Sequence, residues 1–99
     1  MTTKRDIVKT VAERSAMTQA QTAEVVQFTL DAIADAIAED GRLELRNFGV
    51  FEVKWRRARK ARDPRNGETL DVPARNVVVF RAGRVLEQRV EGLAPADDR

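Results

Sequence analysis

Between Lys54 and Arg65 the chain places seven cations, Lys54, Arg56, Arg57, Arg59, Lys60, Arg62 and Arg65, against one acid, Asp63. That stretch carries six net positive charges, whereas the whole chain carries +2, so the remainder is four charges negative. Basic charge this local marks a site rather than a generally sticky surface, and a polyanion is its natural partner. Lys and Arg along a segment neutralise phosphates and release counterions, which makes binding salt-sensitive and largely independent of sequence. Arg adds a planar fork that matches phosphate oxygens and enters narrow minor grooves. Pro64 stands within this run, where affinity alone would call for another Lys. Its ring is rigid and apolar and has no N–H to satisfy. On residue type alone it reads first as a turn former. Asp63 beside it is expected to face phosphates and be repelled, most strongly at low salt.

Other chemistries are poorly served. The chain has no His and no Cys, so the usual general base, the usual zinc ligands and any disulfide are missing. The carboxylates are scattered, and no catalytic constellation emerges. Neither an enzyme nor a metal or cofactor site is expected. Single-strand readers interleave aromatics with cations. This basic run offers only Trp55, which reads as a packed residue at the base of the segment. An RNA-binding or polybasic interaction module is therefore the weaker alternative. No apolar run approaches a membrane span, no signal peptide opens the chain, and no basic amphipathic helix suits a membrane surface. A cytoplasmic location is expected.

The elements that must position this segment follow from periodicity and punctuation. At 99 residues one domain with a marginal core is expected. Thr3 and Asp6 open a helix whose apolar residues Ile7, Val8, Val11 and Ala12 recur at helical spacing, ending near Arg14–Ser15. Thr18 and Gln21 form a capping box for a second helix running to about Glu39, stopped by Asp40–Gly41. That helix is apolar over a broad arc, including Val25, Phe28, Leu30, Ile33 and Ile37. Its apolar face excludes a recognition-helix role. One short helix cannot cover such an arc, so a second protomer is expected to.

From Leu43 the period becomes two, predicting a strand in which Leu43, Leu45 and Asn47 share one face. Phe48 to Phe51 is expected to turn into a second strand that the basic segment continues. Asp63–Gly67 is a strong turn signal. Leu70 and Val72 begin a return strand, Pro73 interrupts it, and Val77 to Phe80 reads as a buried strand. Ala82–Gly83 breaks it, Arg84–Val90 reads as a short helix, and 91–99 as a frayed tail. The fold class is α+β: two helices, a three-stranded antiparallel sheet with a long hairpin, and a final helix. Lys54 to Pro64 at roughly 3.3 Å per residue spans about 35 Å and should project as an arm.

The quoted residues carry a resemblance. Asn47-Phe48-Gly49-Val50-Phe51, the arm pattern from Arg56 to Gly67, Val72-Pro73-Ala74 and Phe80-Arg81-Ala82-Gly83-Arg84 together resemble the bacterial HU and integration host factor family, over about residues 2–90. The sequence departs from the family's usual pattern at Asp63, commonly Asn; at Ala61, often Gly; at Asn66, usually Thr; at Trp55; and in an added acidic tail. The resemblance implies an intertwined dimer, homo- or heteromeric, with residues 1–41 as its helical part. It implies a sheet over 42–83 bearing an arm at about 53–75, and a helix over 84–90. The dimer core would include Val25, Phe28, Leu30, Ile33, Ile37, Phe48, Phe51 and Phe80. Double-stranded DNA would be gripped through the minor groove by the arm cations with Arg75, and by Lys4, Arg46, Asn47, Arg81 and Arg84 on the body. Bent, nicked or junction DNA would be preferred, in the nucleoid. Pro64 would wedge between base pairs, the mechanism described for HU and integration host factor among minor-groove architectural proteins. A non-specific bender is the leading expectation and a site-specific one the alternative.

Overall fold

The computed structural model describes residues 1–96. Its contacts divide it into a unit spanning Met1–Ala36 and a second beginning at Ile37. The first holds α1 (Lys4–Ser15) and most of α2 (Gln19–Asp40). Asp6 accepts hydrogen bonds from the Thr3 backbone N–H at 2.9 Å and the Thr3 hydroxyl at 3.1 Å, closing the start of α1. Ala16 ends it at φ 57°, a left-handed position that costs a side chain about 1–2 kcal/mol. The α2 box forms as the sequence predicts: Gln21 N–H donates to the Thr18 hydroxyl at 3.1 Å, and the Gln21 amide oxygen accepts from Thr18 N–H at 3.4 Å. Thr22, fully buried, donates its hydroxyl to the Thr18 carbonyl. Gly41 stops α2 at φ 71°, one residue later than expected.

The second unit contains a three-stranded antiparallel sheet in the order β1 (Arg42–Leu45), β2 (Gly49–Arg56), β5 (Arg75–Ala82), a separate ribbon of β3 (Arg59–Arg62) and β4 (Thr69–Val72), and α3 (Arg84–Val90). Register puts Leu43, Phe51 and Phe80 in one row, and Val53 opposite Val78. The Phe80 ring lies 4.7 Å from Phe51 and 5.5 Å from Phe48, between centroids. This is the sheet's apolar face. The alternate positions Glu52, Lys54 and Arg56 form the polar one.

Four expectations need correction. Asn47 is not in the first strand: it sits in the turn Arg46–Phe48 at φ 66°, and Phe48 N–H donates to Leu45 O at 2.9 Å. Asn tolerates the left-handed region better than most side chains. The turn consequently precedes Phe48–Phe51, and strand pairing already begins at Gly49. The basic segment does not continue β2 unbroken, because pairing lapses at Arg57–Ala58 and resumes at Arg59 in the same register. Val53 N–H bonds to Gly41, so alternation turns Lys54 and Arg56 toward β5. Ala58 follows in that set and faces Pro73, which has no N–H to give. Lastly, Val77 to Phe80 is not a buried run: exposure alternates, and Val78 is 59% exposed in the single chain.

Gly49 is the glycine that close packing demands. A Cβ there would lie 2.6 Å from both the Arg81 carbonyl oxygen and the Phe80 ring. Gly49→Ala is expected to destabilise the protein by about 1–3 kcal/mol, as overpacking does. Thermal unfolding followed by circular dichroism checks this, with a lowered Tm as the expected outcome.

Candidate nucleic-acid interface

The ribbon meets at a six-residue tip. Asp63 N–H donates to Glu68 O at 2.8 Å and Gly67 N–H to Asp63 O at 2.8 Å. Pro64 is exposed within this turn. Arg56, Arg57, Arg59, Lys60, Arg62 and Arg65 are all exposed along the arm. Of these six, Arg65 alone has a carboxylate within 4 Å among the described residues. Lys60 stands opposite Asp71 in the ladder, a favourable cross-strand pair. Arg56 stands directly opposite Arg75. Like charges so placed destabilise a sheet, and an anion lying across both relieves that cost. Arg56, Arg57, Arg59 and Arg75 line one concavity at the break in the ladder, over Ala58, Val72, Pro73 and Val77, with no carboxylate in its wall. Such a hollow is suited to a phosphate chain.

A second group forms on the body. Arg46, Asn47 and Arg84 line a shallow concavity with Glu44 and the Gly49 and Gly83 backbones. Gly83 N–H donates to Phe48 O at 2.8 Å, bringing the start of α3 to the Arg46–Phe48 turn. Arg46 and Asn47 thus meet Arg84, 38 and 37 positions further along the sequence, at one edge.

Other candidates are engaged elsewhere. Arg81 and Arg42 both hydrogen-bond the Glu52 carboxylate, Arg42 at 2.7 Å, and Lys54 approaches it at 3.8 Å. Glu52 gathers three cations on the sheet's polar face, and sequence reading missed it. Its alternation with Phe51 and Val53 places it on that face, but its partner Arg81 lies 29 residues away. Lys4 donates to Gln27 at 2.6 Å, and Gln27 donates to Asp31 at 2.8 Å. Trp55, expected to be packed, is 63% exposed and faces Asn76 across the ladder. Asn76 is too polar and short to cover an indole. Asp63 is also placed differently from expectation. It is only 7% exposed, turned into the tip rather than toward solvent.

Among the described residues no cluster of His, Cys, Asp or Glu suits a metal ion, and no helix is long and apolar enough to cross a membrane. The helical residues expected in a dimer core divide by exposure. Phe28, Val25 and Leu30 are exposed, whereas Ile33 and Ile37 are half-buried. Phe51 is half-buried, and Phe48 and Phe80 are exposed.

This combination of ribbon, sheet and helices recurs in known proteins. The chain is 39% identical over 88 residues to DNA-binding protein HU-1 of Halalkalibacterium halodurans, covering 89% of this chain and 98% of that one. It is 31% identical over 96 residues to integration host factor subunit alpha of Myxococcus xanthus, covering 97% and 74% respectively. Its fold superposes on an Anabaena HU–DNA cocrystal structure with a TM-score of 0.80 and 32% identity, over 92% of this chain and 99% of that one. The family described as bacterial DNA-binding protein matches residues 2–91. Matched in sequence and in fold across nearly its whole length, the chain belongs to the bacterial DNA-binding protein family of HU and integration host factor.

Proposed function

We propose that this protein is an architectural component of the nucleoid that binds double-stranded DNA through the minor groove and bends it, with little sequence preference. The observation that carries this reading is the exposed arm on which Arg56 opposes Arg75 and four further cations, Arg57, Arg59, Lys60 and Arg62, lack a carboxylate within 4 Å among the described residues. A ribbon so charged is at its best with phosphates along both edges. Lys54, Arg56, Arg57, Arg59, Lys60, Arg62, Arg65 and Arg75 would hold the backbone along the arm. Arg46, Asn47 and Arg84, with Arg81 and Lys4, would hold it along the body, once Arg81 and Lys4 exchange their present partners for phosphate. Residues 1–41 would serve dimerisation, as a homodimer or with a paralogue. The Anabaena relative is seen with DNA, which supports the same ligand here.

Pro64 would enter a base step and pry it open. Pro64→Ala should then reduce bending more than binding, because the cations along the arm remain. Since unstacking costs a few kcal/mol per step, wild-type protein should prefer nicked or four-way-junction DNA, and the variant should lose most of that preference. Energy-transfer measurement of bend angle beside gel-shift affinity tests this. Unchanged bending in Pro64→Ala would leave the proline a turn former on a non-bending electrostatic binder. A site-specific bender is the second reading, favoured by the likeness to integration host factor subunit alpha. Footprinting on random and defined duplexes separates the two.

A further inference from the structure

A cationic arm has no evident use for a buried carboxylate, yet the tip contains one. Asp63 is held within the turn by its N–H, its C=O and one carboxylate oxygen. Its N–H donates to Glu68 O and its C=O accepts from Gly67 N–H. Its Oδ1 accepts from the Arg65 backbone N–H at 2.9 Å and from Arg65 Nε at 3.5 Å. Pro64 lies between these two residues and donates nothing. A second side-chain bond, Asn66 Oδ1 accepting from Glu68 N–H at 2.9 Å, braces the far side, and Gly67 at φ 74° completes the reversal.

We infer that Asp63 is a positioning residue for the wedge: its Oδ1 locks the turn around Pro64 and so fixes the ring at the apex before DNA arrives. The inference rests on the reading of Pro64 as a wedge. A wedge on a loose loop must be ordered at the moment of insertion, and that ordering lowers the yield of bent complexes. A side-chain acceptor bonding the backbone two residues on is the Asx turn, which removes this freedom locally. The same oxygen holds Arg65 near its Nε while the Arg65 side chain stays 88% exposed, so the guanidinium remains available to a phosphate. The negative charge that Asp63 brings is thereby only partly offset beside the wedge. What the turn requires is an acceptor, not a charge, and Asn can replace Asp in that role.

The test compares Asp63→Ala and Asp63→Asn with wild type and Pro64→Ala, in the full-length protein. Bend angle by energy transfer is measured at saturating protein, together with affinity and the hydrogen exchange of the Arg65 and Gly67 amides. Asp63→Ala is expected to speed exchange at both amides and to give about five-fold fewer bent complexes at equal occupancy, the factor one net hydrogen bond is worth. Asp63→Asn is expected to restore both exchange protection and bending, and to bind more tightly than wild type because a charge near phosphates is gone. Wild-type bending in Asp63→Ala, or an Asn variant no better than the Ala variant, overturns the inference. If Pro64→Ala itself bends DNA like wild type, the wedge reading fails and this one with it. If Pro64→Ala flattens the DNA and Asp63→Ala does not, only the positioning role fails.

Discussion

Phe28→Asp is expected to abolish folding rather than release a folded monomer. Phe28 is 66% exposed in the single chain, and Val25 and Leu30 beside it on α2 are exposed as well. The only buried hydrophobic residues among the described ones are Val8 and Ala12. With the other apolar side chains at most half-buried, the single chain has little hydrophobic stabilisation to set against its chain entropy. On the proposed dimerisation of residues 1–41, a second copy covering the arc of α2 would supply further burial. In such an interface a carboxylate at position 28 would be desolvated without a partner, at a cost of several kcal/mol, comparable to the whole stability of a small protein. Ile33→Asp, half-buried on the same helix, should behave alike. Sedimentation equilibrium and circular dichroism check both variants. For the wild type, a Tm that rises with protein concentration is expected, since dimerisation stabilises by mass action. A compact, cooperatively melting monomer from the wild type would contradict the dimer.

Replacing Arg56, Arg59 and Arg62 together with Ala should have the second large effect, and it should fall equally on every duplex. These side chains are exposed and have no carboxylate within 4 Å among the described residues, so little of their charge is spent inside the protein. Arg56→Ala also removes one half of the repulsive Arg56–Arg75 pair, so the free protein should be no less stable. The slope of log K against log salt should flatten by about one unit per lost phosphate contact. On the proposed dimer, which would carry two arms, the loss of affinity should exceed about a hundredfold at low salt. Fluorescence-anisotropy titrations at several salt concentrations measure both quantities. If affinity fell while the slope held, phosphate neutralisation would be the wrong account of the arm.

Much of this protein could be read from residues close together in the chain. The starts of both helices were legible because capping is settled within four residues: Thr3 with Asp6, Thr18 with Gln21. The tip turn was legible because Pro fixes φ where it stands and Asn and Gly tolerate positive φ. The charge of the arm needed only counting. Misreadings arose where two local signals conflicted. Asn47 continued the alternation of Leu43 and Leu45, but its tolerance of positive φ prevailed, and the strand ended two residues earlier than its pattern. Val77 to Phe80 looked buried because all four are apolar, whereas only alternate members face the same side of the sheet.

Sequence by itself determined the element order, the cation-rich arm, the proline at its tip and an apolar surplus on α2 too large for one chain, because each depends on neighbours within a few residues. Tertiary structure alone decided who faces whom. The Glu52 cluster joins residues from β1, β2 and β5; the Arg56–Arg75 opposition depends on a register set across the hairpin; and Arg46 reaches Arg84 only because Gly83 bonds back to Phe48. The inward turn of Asp63 is by contrast a local matter, an Asx bond to the Arg65 amide two residues on, which competed with the expectation that a carboxylate among cations faces solvent. Cross-strand partners and side-chain direction depend on long-range register and on which hydrogen bonds the backbone has left unmade, and neither is a property of any short stretch of sequence.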